Sequence, residues 1–302
     1  MFWLLACTGG EVETTPEWTG PIPIRLALNW FPEAEFGGFY EGVLGGHYER
    51  AGFEVEIIPG GPGAPTLQLL RTDQVEAAIT AADDLLLKRD KRLMVTAAWP
   101  AFQLAPNGVM VHAGGAGSFE DLEGTIAIEP GSPMETYLAQ RYGWDDKGVN
   151  RVPYSGSIGP FLADEAFAQQ AFITSEPCIA EAKGAEVRFL RAADAGWNPY
   201  GSILAVTQPP PPWTEDFVKA THTAWEAYIA DPSRANARIS ELNPDMTPAL
   251  LECITKKQEP FLVGTDGLGA MTEVRWRQMH DTLEGMGLLG NGYPLEDAWL
   301  KF

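Results

Sequence analysis

The side chains of this 302-residue chain best suited to chemistry are aromatic rings and carboxylates placed where strand-like segments end. Asn29-Trp30-Phe31-Pro32-Glu33 follows the apolar run Ile24–Leu28, with Phe36 and Tyr40 a few positions on. Trp99 and Phe102 follow Leu93–Ala98, Tyr154 closes Arg151–Tyr154, and Trp197 and Tyr200 precede Ser202–Thr207. Rings beside Gly and Pro at strand ends are not required by sheet packing. They suit the walls of a site for a flat molecule, where a stacked pair adds roughly 0.5–1.5 kcal/mol beyond its buried area. Gly37, Gly60, Gly61 and Gly131 lie in or beside the same loops and let backbone approach a ligand.

Charge in these loops is one-sided. No Lys or Arg occurs between Arg25 and Arg50, between Arg92 and Arg141, or between Arg151 and Lys183, yet Glu33, Glu35, Glu129, Glu135 and Glu176 all do. A site for nitrate or a sulfonate would ordinarily offer Arg or Lys, although a helix N-terminus can also hold an anion. The balance predicts a neutral or cationic ligand whose amino or protonated ring groups donate to carboxylates. The whole chain carries a formal charge of -20, which opposes binding to nucleic acid or to an anionic surface.

Other chemistries find no support. There is no Gly-x-Ser-x-Gly elbow and no phosphate-binding Gly-x-x-x-x-Gly-Lys loop. Gly285-Met286-Gly287-Leu288-Leu289-Gly290 has dinucleotide spacing, but it follows a predicted helix (274–284) rather than a strand and reads as a glycine helix stop. Asp83-Asp84 and Asp145-Asp146 read as solvated turns, and the four histidines lack metal-ligand spacing. The expectation is a binding protein with no catalytic residue, cofactor or metal. Three cysteines permit at most one bridge, and whether Cys178 and Cys253 pair stays open.

Strand patterns at 24–28, 53–58, 75–80 and 93–98 alternate with helices at 35–49, 66–72 and 82–89, the signature of an α/β sheet with mostly parallel strands. The rhythm repeats after the glycine-rich segment 113–117: strands at 125–128, 151–154, 171–174 and 187–190, with helices at 133–142 and 161–168. A return strand at 202–207 leads through Pro209–Pro212 to a helical end, beginning with Phe217, Thr221, Ala224 and Tyr228 at helical spacing. One α/β lobe (23–111 plus 203–302) is thus interrupted by another (112–202), and loops at the carboxyl ends of parallel strands face the cleft between them. No apolar run is long enough to span a bilayer.

Ahead of this body, residues 1–22 read as a truncated lipoprotein signal and a flexible tether. Leu4-Leu5-Ala6-Cys7 places an apolar run and a small residue before a cysteine, as bacterial lipoprotein signals do. The basic front end expected of a signal peptide is missing. Cys7 is the expected lipid anchor, several acyl chains giving stable attachment where one does not.

Arg25-Leu26-Ala27-Leu28-Asn29-Trp30-Phe31-Pro32 followed by Gly37-Gly38-Phe39-Tyr40, then Tyr48–Val55 and Phe172-Ile173-Thr174-Ser175-Glu176-Pro177, resembles periplasmic solute-binding proteins related to thiamine-pyrimidine precursor synthase, and more loosely their sulfonate- and nitrate-binding relatives. The resemblance implies a two-lobed type II periplasmic-binding fold, capture of a small molecule by hinge closure, an ABC importer permease as partner, a monomer, and an extracytoplasmic location. It implies stacking by Trp30, Tyr154 and Trp197 and polar contacts from Glu33, Glu129 and Glu176. Asn29, Phe36, Tyr40, Gly61, Thr80, Trp99 and Ser132 complete the expected lining. A pyrimidine- or thiamine-precursor-like ligand comes first, with sulfonate, nitrate or flavin as alternatives. The synthase branch uses a pyridoxal-bearing lysine, a histidine and a cysteine-rich segment. The matching stretch here, Ile79–Asp84, has Thr80 and Asp84 and neither lysine nor histidine, so the enzyme alternative is disfavoured.

Overall fold

Short runs rich in β-branched and aliphatic residues, separated by glycine and proline, produce short strands with helices between them. The computed structural model describes residues 20–292 and 294–301. The lipid anchor expected at Cys7 and most of the expected tether lie outside the described residues. From the start, the elements are β1 (Ile22–Ala27), α1 (Gly37–Leu44), α2 (His47–Arg50), β2 (Phe53–Ile58), α3 (Thr66–Arg71), β3 (Ala77–Thr80), α4 (Ala82–Asp90), β4 (Val95–Phe102) and β5 (Asn107–His112). Then come β6 (Thr125–Ala127), α5 (Pro133–Tyr142), β7 (Asn150–Val152), α6 (Gly159–Ala163), β8 (Ala168–Phe172), α7 (Glu176–Ala182), β9 (Val187–Arg191) and β10 (Gly201–Thr207). Four helices finish the chain: α8 (Thr214–Ala230), α9 (Ser233–Leu242), α10 (Pro248–Val263) and α11 (Glu273–Gly285).

The strands form two five-stranded sheets of matching topology, β2-β1-β3-β10-β4 and β7-β6-β8-β5-β9. In the first, β1 runs parallel to β2 and β3, and β10 lies antiparallel between β3 and β4. In the second, β6 runs parallel to β7 and β8, and β5 lies antiparallel between β8 and β9. The fourth strand of each sheet is the one that enters it directly after a crossing, β5 after the first and β10 after the second. The first crossing lies between Phe102 and Asn107, so β5 pairs in the second sheet, although the first lobe was expected to run as far as residue 111. Asn198 ties the two crossings together: its Oδ1 accepts from the Ala105 N–H at 2.8 Å.

Two other expectations shift. The helix expected over 35–49 is cut in two at Gly45-Gly46, where Gly46 takes a left-handed φ of 67° that an L side chain rarely adopts. The helix expected over 161–168 is a single turn or so, Gly159–Ala163, because Asp164 turns extended and accepts from the Ala166 N–H with its own side chain. β8 therefore starts at Ala168, ahead of the expected 171–174.

One face of the first sheet is covered by α1 and α8. Gly37 and Gly38 on α1 lie against Tyr228 and Trp225, so closely that a Cβ on Gly38 would be 2.1 Å from the Trp225 ring. The other face belongs to a buried cluster that runs on into the second sheet, joining Ala27, Ala78 and Ala205 to Val109, Ile126 and Trp197.

A base-free acid cluster between the two sheets

Two loops carry the site. The first leaves β1 and runs through Asn29, Trp30 and Glu33 into a 3-10 turn over Ala34–Phe36. It is held from below and from the side. The Ala34 carbonyl accepts from Tyr228 Oη and from Gln258 Nε2, both at 3.2 Å, and the Pro32 carbonyl from Asn243 Nδ2 at 3.0 Å. The Gly60 N–H donates to the Trp30 carbonyl at 3.0 Å, an approach that leaves no room for a side chain, since a Cβ on Gly60 would be 2.1 Å from the Leu28 carbonyl. The second loop leaves β8 and runs through Thr174 and Ser175 into α7, whose first residue is Glu176. Pro177 fixes φ in the first turn and favours a helix start there.

These loops bring Glu33, Glu35 and Glu176 into one electrostatic neighbourhood, and all three are buried. Glu33 is pushed up to about 8, first by burial and then by the Glu176 charge. Burial pushes Glu35 well above the usual carboxylate range, with Glu33 and Glu176 adding to it. Glu176 is also raised by burial. The groups that oppose these shifts are neutral donors. The Trp30 indole N–H donates to Glu33 Oε1 at 3.2 Å, and the Ser175 side chain bonds Glu33 from the other sheet. Tyr154 Oη donates to Glu176 Oε1 at 2.5 Å, and the Phe172 N–H donates to Glu176 Oε2 at 2.8 Å. The Tyr154 hydroxyl is itself raised, by burial and by Glu176. Buried carboxylates without a cation beside them keep their protons or take a positive partner. Two further polar atoms of the same loops, Asn29 Oδ1 and Thr174 Oγ1, are buried without a hydrogen-bond partner. Such groups are uncommon in folded proteins and point to something else that fills the place.

Trp30 and Tyr154, both half-buried, stand beside the acids through those hydrogen bonds. Phe31, 46% exposed, meets Trp30 edge-on at 5.3 Å and packs over Gly61. Phe172, which opens the second loop, is 39% exposed.

The remaining expected residues are not gathered with the acids. Trp197 is fully buried and packs on Tyr137 at 5.5 Å, and Trp99 packs among Phe39 and Trp225. Phe36 is fully buried in the core beneath its loop. Tyr40 is buried, and burial pushes its hydroxyl up to about 12 against the opposing charge of Arg238 on α9. Thr80 Oγ1 donates to Asp84 at 3.0 Å. Glu129 is exposed, and Ser132 caps α5 by accepting from the Glu135 N–H at 3.3 Å. Glu135 completes that cap: its Oε2 accepts from the Gly131 N–H at 3.2 Å and its Oε1 from Arg151 at 2.9 Å. The place at the start of α5 that could hold an anion is thus filled by a carboxylate of the chain.

Sequence reasoning put Glu35 among the cleft acids without giving it a role, read Asp83 as part of a solvated turn where it lies in the first turn of α4, and gave Thr174 and Ser175 no part in the site. Asp83, at the start of α4 beyond β3, is pushed up to about 6 by burial and then by Asp84. The signal available for Ser175 was its place beside Glu176 at a strand end; for Thr174 and Asp83, burial rather than residue type marks them out.

Comparison with known proteins bears on the fold and the family. The chain is 22% identical over 290 residues to the formylaminopyrimidine-binding protein of Halalkalibacterium halodurans, covering 86% of each chain. It is 22% identical over 303 residues to the riboflavin-binding protein RibY of Chloroflexus aurantiacus, covering 91% of this chain and 84% of that one. Its fold matches the crystal structure of the periplasmic aliphatic sulphonate binding protein SsuA from Escherichia coli with a TM-score of 0.70 at 14% identity, over 93% of each chain. The NMT1/THI5-like family model matches residues 33–235, which take in Glu33 and Glu35 of the first acid loop, both crossings and the second acid loop, and the chain belongs to that family.

Proposed function

We propose that this protein is an extracytoplasmic solute-binding protein that closes two lobes over a small flat molecule bearing amino or cationic groups and delivers it to the permease of an ABC importer. The observation that carries the ligand class is the cluster of three buried carboxylates, Glu33, Glu35 and Glu176, met by neutral donors and by no cation. Trp30 and Tyr154 supply the walls, and Asn29 and Thr174 the free polar atoms. An aminopyrimidine of the kind named for the Halalkalibacterium halodurans relative fits this chemistry: it presents a flat ring, N–H donors and basic ring nitrogens. A sulfonate or nitrate fits poorly, because among the described residues no Lys or Arg stands with the acids to meet its charge and Glu135 already occupies the start of α5.

The lobes are the bodies built on the two sheets, hinged at 103–106 and 192–200, and the protein works as a monomer without catalysis. The stretch Ile79–Asp84 offers no amine with which pyridoxal phosphate could condense. The bridge between Cys178 and Cys253 suits an oxidising compartment. Among the described residues no helix is long and apolar enough to cross a membrane, and attachment falls to acyl chains on Cys7.

The test is thermal unfolding against a panel of formylaminopyrimidine, simple aminopyrimidines, riboflavin and alkanesulfonates. Ligand at a hundred times its Kd stabilises the folded state by about 2.7 kcal/mol. Stabilisation by aminopyrimidines and not by alkanesulfonates is expected. The reverse pattern would overturn the assignment, and stabilisation by riboflavin alone would move it to the flavin class.

A further inference from the structure

Cys178 and Cys253 form a disulfide across 75 positions of sequence, and the two cysteines belong to different lobes. Cys178 lies on α7, which follows β8 and packs on β8 and β9 of the second sheet; Cys253 lies on α10, which packs on β4 of the first sheet and on α9. Close by, Lys257 of α10 donates to Glu181 of α7 at 2.6 Å. Cys178 is 1% exposed and sits within the apolar cluster of the first lobe beside residues of α10 such as Ile254 and Leu251. The two crossings are therefore not the only covalent links between the lobes.

We propose that the Cys178–Cys253 disulfide is a redox-dependent clasp that holds the cleft near its closed arrangement, so that ligand exchange is slow while the bond is intact and fast once it is reduced. The clasp is close to the site, because Cys178 is on the same short helix as Glu176, which it therefore holds toward Glu33. The reach of the clasp follows from geometry. α10 meets the first crossing at its C-terminal end, where the Phe261 carbonyl accepts from the N–H groups of Gln103 and Leu104 at 2.8 and 3.0 Å. Eight residues of helix put Cys253 about 12 Å from that point. The bonded Cα atoms are 6.1 Å apart, and disulfides rarely let them exceed about 6.8 Å, so a rotation about the first crossing that draws the two cysteines directly apart is limited to about 3° on this flank. Wider opening needs the bond broken, or a rotation whose axis passes through the clasp. Reduction by a dithiol reagent forms two thiols on the protein and oxidises the reagent to its disulfide, with two electrons and two protons delivered to the cysteines.

This inference rests on the two-lobed capture reading, so its primary readout needs no ligand. Peptide mapping of the purified full chain first establishes the Cys178–Cys253 linkage; two free thiols there would overturn the proposal. Hydrogen exchange is then compared for the oxidised protein, the protein in a phosphine reductant, and the C178S/C253S variant. The expected result is exchange at least about tenfold faster in the acid loop 28–36, which is far from both cysteines in sequence, with β1 and β3 unchanged as a sign of an intact fold. Faster exchange confined to 176–182 and 248–263 would mean a local staple and would sink the clasp. If the double variant does not fold, the reduced wild-type chain still decides. Stopped-flow Trp fluorescence with formylaminopyrimidine adds a second arm, expected to show exchange at least about tenfold faster on reduction. Faster exchange in 28–36 with no response to that probe leaves the clasp standing and removes the ligand assignment; a probe response indifferent to reduction does the opposite.

Discussion

Glu33→Gln in the ligand-free protein gives the sharpest test of the acid cluster. In the folded protein the Glu33 carboxyl is pushed up to about 8 from an ordinary 4.5, by burial first and by Glu176 second. A carboxyl raised on folding binds its proton more tightly in the folded state, so the unfolded chain holds fewer protons between these two values. Stability then falls as pH rises from about 4.5 to about 8 and levels off above, at about 1.4 kcal/mol per pH unit for one carboxyl. Across the whole window Glu33 alone accounts for up to about 5 kcal/mol, an upper figure because burial softens when the group ionises and the three acids titrate together. The amide of glutamine keeps an acceptor for the Trp30 indole and has no proton to lose. Urea unfolding at pH 5, 6, 7 and 8 is therefore expected to show a wild-type stability that declines with pH and a variant whose decline is shallower by a fraction of that slope large enough to measure. Glu35 and Glu176, raised in the same direction, leave a residual decline in the variant. A wild-type stability that climbs or stays level from pH 5 to 8, or a Glu33→Gln slope equal to wild type, would refute the claim that these acids meet without a cation.

Trp30→Ala removes a half-buried wall that sits in a loop rather than in the sheet, and is expected to weaken formylaminopyrimidine binding about tenfold or more in calorimetry while leaving urea stability within about 1 kcal/mol. A collapse of stability instead would make Trp30 a core residue. Tyr154→Phe strips Glu176 Oε1 of its hydroxyl donor, at a cost of about 1–3 kcal/mol read from urea unfolding above pH 7, where the carboxylate most needs it. Glu135→Ala empties the start of α5 and leaves Arg151 facing it; a measurable response to alkanesulfonates, absent in wild type, is expected in thermal unfolding, and no response would show that Glu135 is a cap and nothing more.

The alternation of short strands and helices made the α/β architecture readable, because strand and helix periods differ and glycine and proline separate the segments. The first acid loop was readable for the same reason: Trp30 and Glu33 stand at the end of an unambiguous strand in a stretch without bases. What could not be read was the partner of each residue. Trp197 and Trp99 share their residue type with Trp30, but β4 runs on past the expected end at Ala98 so that Trp99 lies inside it, and Tyr137, Phe39 and Trp225 close over the two rings. Glu129 follows β6 as Glu176 follows β8, yet its side chain remains in solvent. The helix α7 was not read because Phe172–Pro177 was matched to a strand end as a whole, whereas Glu176 and Pro177 already form the first turn of a helix. Pairing two of three cysteines needs the packing of α7 on α10, a contact between lobes that no local pattern encodes.

Closure and ligand charge are linked by the acids themselves. Glu33 comes from the first lobe and Glu176 from the second, so each is better solvated when the lobes part, and the Glu176 charge raises Glu33 only when they meet. Without a ligand the closed arrangement holds protons that the open one would release at neutral pH, and those protons carry a free-energy cost that favours opening. A ligand that brings N–H donors or a positive charge replaces those protons and removes the cost in the closed state alone. That difference between states is what allows a ligand to shift a hinge. An anion, or a neutral molecule without donors, has no such differential to offer, however well its ring stacks on Trp30. On the proposed function, selectivity for amino-bearing heterocycles and ligand-driven closure would come from the same three carboxylates, and a variant that neutralises them would lose both together.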